Sequence, residues 1–127
     1  MSEWLKLAKR AVACKGWRWM PRMMDTAGRT FIEHADCGEA AWLWVADDGC
    51  EWLPVEGRLP DLTDPATVGC LLALVRDAWG DRFLVPQEDY CHKALWCIRG
   101  RTGMPAWVAV ACISEAEALV AALETAP

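Results

Sequence analysis

Residues 59–81, LPDLTDPATVGCLLALVRDAWGD, hold a helix start, a buried stripe and a helix stop in that order. Asp64 can accept the first free amides, and Pro65 suits the first helical position because its missing N–H would go unpaired there anyway. Val68, Leu71, Leu72, Val75, Ala78 and Trp79 recur at three- and four-residue steps, so they share one side of a helix that Gly80 closes. The spacing predicts a central helix over residues 64–80.

Working outward, the same signals repeat more weakly. Ser2 can cap a first helix running to about Cys14, with Trp4, Leu7, Ala8, Ala11 and Val12 on its apolar stripe and Gly16 as its stop. Trp17 to Met20 read as a strand that turns through residues 25–28 into a second strand over 29–35, with Pro21 holding the first at an edge. Segments 41–46 (AWLWVA) and 50–55 (CEWLPV) flank Asp47-Asp48-Gly49, a hairpin signal, and residues 82–85 form a short extended piece after the central helix. A further hairpin joins 94–99 to 106–113. Ser114 and Glu117 then have the spacing of a capping box, with Leu119, Val120 and Leu123 as the buried face of a last helix. The pattern implies an α+β fold, a mainly antiparallel sheet built from hairpins and packed with three helices: N-terminal, central 64–80 and C-terminal 114–126. Without a repeat or linker, residues 1–127 are read as one domain.

Composition narrows the class. Apolar content of 54% is too high for a disordered chain, yet the apolar runs are too short to span a bilayer, so a soluble protein without membrane attachment is expected. The first residues alternate charge with apolar side chains and lack the continuous core of an export signal, which predicts the cytoplasm. Seven cysteines, an odd number in a reducing compartment, are read as free thiols. The net charge of −5 conceals an asymmetry. Residues 1–30 carry seven cations against two anions, a balance of +5; the remainder carries six against sixteen, a balance of −10. A basic end can steer an anionic ligand, while the acidic remainder disfavours non-specific nucleic-acid binding.

The segments LAKRAVACKGWRWM, LPDLTDPATVGCLLALVRDAWG and ISEAEALVAALETAP, with a Trp-rich hairpin between, resemble small uncharacterised phage- and prophage-encoded proteins. The layout is also similar to that of the phage α-β-α sandwich family. The resemblance covers the two ends and the centre, about half of the chain. It implies a phage-type accessory protein in a host cell, and it implies origin and fold more strongly than chemistry.

Catalytic signatures do not stand out. Cys91 and His92 are adjacent, so their side chains diverge in either a strand or a helix and cannot form a dyad by themselves. There is no P-loop, nucleophile elbow, dinucleotide fingerprint or H-E-x-x-H. His34-x2-Cys37 supplies half of a zinc pattern, with Cys50, Cys91, His92 and Cys97 as scattered candidates for the rest; a structural site needs a second close pair, so no metal or other cofactor is expected. The nine tryptophans carry the sharper expectation. Trp17 and Trp19, like Trp42 and Trp44, alternate so as to share a face on which a base could stack, while Lys15, Arg18 and Arg22 meet phosphate. The expected function is non-enzymatic: a counter-defence factor that sequesters an anionic nucleotide-like signal. The alternatives are a protein inhibitor of a host defence protein such as a nuclease, and a small virion or assembly component. An exposed tryptophan face would also suit homo-oligomer formation.

Overall fold

The computed structural model describes residues 2–34, 41–46, 49–51, 57–88, 95–99 and 107–127. It is an α+β fold in the order α1 (Glu3–Val12), β1 (Thr30–His34), β2 (Ala41–Ala46), β3 (Gly49–Glu51), α2 (Pro65–Trp79), β4 (Val85–Glu88), β5 (Trp96–Arg99), β6 (Trp107–Cys112) and α3 (Glu115–Glu124). The strands form two antiparallel three-stranded sheets, β1-β2-β3 and β4-β5-β6, in place of the one sheet expected from the hairpins. Phe31 pairs with Trp44 across β1 and β2, and Ala46 pairs with Gly49 across β2 and β3. In the second sheet β4 is an edge, which Pro86 can occupy without disrupting a central ladder.

Each helix is started by the residue expected. Ser2 Oγ accepts the Leu5 N–H, Asp64 accepts the Thr67 N–H at 2.9 Å, and Ser114 Oγ accepts the Glu117 N–H. Gly80 closes α2 at φ 65°, a left-handed conformation that costs glycine little. The capping box of α3 differs in one bond: Glu117 Oε2 accepts the N–H of Ile113, one residue before the cap. The first helix ends at Val12 with Ala13 as its cap, earlier than Gly16.

The main core is aliphatic, and α3 is its hub. It contacts α1, α2 and all three strands of the second sheet. Ala116, Ala118, Leu119, Val120, Ala122 and Leu123 are buried along α3, against Leu7, Ala8 and Ala11 of α1 and Leu71, Leu74 and Val75 of α2. So many alanines let the helices approach closely. Gly16 is needed at the same junction: a Cβ there would meet Leu123 Cδ1 at 3.1 Å and Ala78 Cβ at 3.4 Å. Trp79 Nε1 donates to the Ala122 carbonyl at 2.8 Å, satisfying both the indole and one of the last carbonyls of α3.

Residues 17–20 are not a strand. After the turn at Pro21 the chain makes ladder-like bonds one step later: Arg22 and Phe31 exchange with each other's neighbourhood through Arg22 N–H to Phe31 O (2.7 Å) and Phe31 N–H to Met23 O (2.8 Å). The proline and the close passage of this segment across α2 displace the expected hairpin. Likewise the extended piece expected at 82–85 begins only at Val85.

Candidate functional site

Three of the expected site residues do come together, in a second core that is aromatic. Trp19 packs edge-on to Trp17 (centroids 5.5 Å apart, planes at 81°) and to Trp44 (4.9 Å, 84°), and Phe31 lies 5.0 Å from Trp44. Edge-to-face contacts align ring edges with ring faces and leave no parallel slot for a base. Trp44 is 0% exposed, and Arg58 sits 5.1 Å over its ring. The expected stacking platform at Trp44 is therefore corrected to core: its alternation along β2 points it inward, and Arg58 covers it. Trp42 pairs with Glu33 in the ladder, and its side chain lies outside the described residues.

A buried ion pair fastens this core. Asp25, 2% exposed, accepts from Ala27 N, Arg29 N and Arg58, the last at 2.9 Å. A charge this deep is tolerable because several donors replace its water. The same segment is tied to α2: Met24 N–H donates to Thr67 Oγ1 (2.9 Å), and the buried Thr67 hydroxyl donates in turn to Asp64. Thus the turn after Met23 locks the first sheet to the start of the central helix.

The cations do not converge on the aromatic rings. Arg18 reaches Asp77 on α2 at 3.2 Å, with both side chains well exposed. Arg22 is exposed and adopts φ 82°, the one positive φ outside glycine among the described residues. Lys15 lines a small hollow of about 230 Å³ with Gly16, Ala78 and Leu123. Residues 15–22 run alongside α2, so Lys15, Arg18 and Arg22 are spread along that helix instead of closing round a phosphate. Trp17 Nε1 is buried without a hydrogen-bond partner among the described residues. Arg76, next to Asp77 on α2, is engaged as well: its Nε donates to Leu84 O at 2.9 Å.

Thiol chemistry finds little encouragement. Burial pushes the Cys14, Cys70 and Cys112 thiols above their ordinary value, with nearby carboxylates (Glu124, Asp64 and Glu117 respectively) adding to it. A protonated thiol is a poor nucleophile. Cys37, Cys91 and His92 lie outside the described residues, as do the side chains of His34 and Cys50.

Two surface features were not singled out by sequence reading. At the end of α2, Phe83 is 45% exposed with Arg82 stacked over it at 5.0 Å. Beside it an open hollow of about 740 Å³ is lined by Arg76, Asp77, Trp79 and Asp81, and Val85 is exposed just beyond. On another face, Trp4 (44% exposed) and Ile113 (73%) border a groove of about 310 Å³ between α1 and the start of α3. An apolar residue in a loop, such as Phe83, belongs to no periodic stripe, which is why pattern reading passes over it.

No helix among the described residues is long and apolar enough to cross a membrane. Comparison of the chain with protein-family models, with curated proteins and with solved structures finds no match.

Proposed function

We propose that this protein acts by stoichiometric binding, without turnover, and that it occludes a protein: in the phage setting suggested by the resemblance, a host defence protein such as a nuclease. The single observation that carries this reading is the exposed Phe83, held under Arg82 at the rim of the open hollow that ends α2. Aromatic and arginine side chains dominate binding energy at protein interfaces, and a ring held in place beforehand loses little freedom on docking. Charge supports the choice of partner. Residues 31–127 carry a balance of −10, complementary to the basic faces with which nucleases hold nucleic acid. The internal position of Trp44 favours this protein reading over nucleotide sequestration.

Expression of the wild-type chain in hosts armed with nuclease-based defences should restore phage plaquing. Phe83→Glu should abolish that effect while the purified variant keeps its wild-type melting temperature. A chain without effect in any such host would remove the defence reading. Calorimetry with cyclic and linear nucleotides should stay silent; tight binding lost in Arg18→Ala or Trp19→Ala would overturn the protein reading in favour of nucleotide sequestration.

A further inference from the structure

We infer that the groove between α1 and the start of α3 is closed by a second copy of this chain, packed about a two-fold axis with the two α1 helices antiparallel. The surface carries both halves of such a contact. Trp4 is a large apolar side chain standing 44% exposed at one edge, and Ile113 is 73% exposed at the other, with Leu7 between them in a groove of about 310 Å³. A two-fold interface brings one patch against itself, so a patch that includes a projecting ring and a hollow of suitable size is self-complementary in shape.

The charges fit the same symmetry. The groove is lined by two anions, Glu3 and Glu117, and two cations, Lys6 and Arg10. Glu3 and Arg10 are seven residues apart, two turns or about 10 Å along α1. An antiparallel pair therefore sets each Glu3 beside the partner's Arg10 and each Arg10 beside the partner's Glu3. A parallel arrangement would oppose like charges. The existing pairs, Lys6 with Glu3 and Arg10 with Glu124, lie on partly exposed side chains and can be shared across the contact. This groove shares no lining residue with the hollow beside Phe83, so the inference is independent of the proposed function.

Sedimentation velocity tests it. The wild-type chain, 14.1 kDa as a monomer, should associate reversibly to a species of twice that mass as concentration rises. Trp4→Glu and Ile113→Lys, both at exposed positions, should each weaken association by about tenfold or more. Their melting curves, taken at concentrations where all chains are monomeric, confirm that the fold is intact. Glu3→Lys should weaken association several-fold in low salt and less in high salt, because it sets like charges together. Phe83→Glu should leave association unchanged. A wild-type chain that stays monomeric into the millimolar range overturns the inference, as does a dimer unaffected by both Trp4→Glu and Ile113→Lys.

Discussion

The two cores of this molecule are held by different physics. Around α3 the packing is aliphatic and built from many small side chains, so its stability is distributed over numerous weak contacts and close helix approach. Around Trp44 it depends on four rings and one buried ion pair, each tied to a particular geometry. The first kind of core tolerates small adjustments at any one position. The second concentrates its stability in few residues, and it carries the sheet that the helices hardly touch.

Truncating the two hubs separates these behaviours. Trp44→Ala removes a fully buried indole and should cost about 3–5 kcal/mol. Amide exchange followed by mass spectrometry should show β1 and β2 losing protection while α2 and α3 keep theirs. Leu119→Ala, costing about 2–5 kcal/mol, should lower protection in α1, α2 and the second sheet, the elements that α3 contacts, while β1 and β2 keep theirs. Equal loss everywhere in Trp44→Ala would mean that the two cores form one cooperative unit.

A step smaller, Asp25→Ala removes the buried carboxylate that accepts from Arg58 and from two backbone amides. We expect a loss of about 3 kcal/mol in urea unfolding, since removing the acceptor from buried donors costs more than the bonds themselves contribute. The double variant Asp25→Ala with Arg58→Met should recover part of it. Failure to recover would place the stabilisation in the amide contacts of Asp25 and not in the ion pair.

Gly16→Ala probes the aliphatic side. The added methyl falls 3.1 Å from a buried Leu123 branch, and we expect a loss of about 1 kcal/mol, measurable as a lowered melting temperature. A stabilised variant would show that the helix junction yields more readily than its tight spacing implies.

The smallest effect lies on the alkaline side. Thiols whose folded pKa is raised hold their protons longer in the native state than in the unfolded chain. Their contribution is thus complete below the ordinary thiol pKa and is lost as pH rises through the higher folded value. Melting temperature should fall between about pH 8 and about pH 10, and replacing Cys14, Cys70 and Cys112 by alanine should flatten that decline. An unchanged slope would mean that other groups set it.

Legibility in the sequence followed the same division. The helices were readable because their caps are local: Asp64-Pro65 and Gly80 determine where α2 begins and ends through bonds within one turn. The stripe was nearly so, although Leu74 and Thr67 are buried and were not on it, because α2 is covered on more than one side. The aromatic site was misread at Trp44 for a tertiary reason. Alternation identifies which residues share a face of a strand, but it does not say whether that face meets solvent or a neighbouring ring. Phe83, Trp4 and Ile113 escaped for the converse reason, since nothing local tells an exposed apolar residue from a buried one.

The sequence by itself determined where each helix starts, where α2 stops, the β2-β3 and β5-β6 hairpins and the α+β class, all of which rest on capping chemistry, turn residues and periodicity within a few residues. Tertiary structure alone decided that the strands divide into two sheets, that α3 and not α2 is the hub, and that Asp25 in the first turn finds Arg58 across 33 positions of chain. Those outcomes depend on which surfaces meet. Contact between distant segments is settled by shape, burial and charge in three dimensions, where the spacing of residues along the chain carries no direct information.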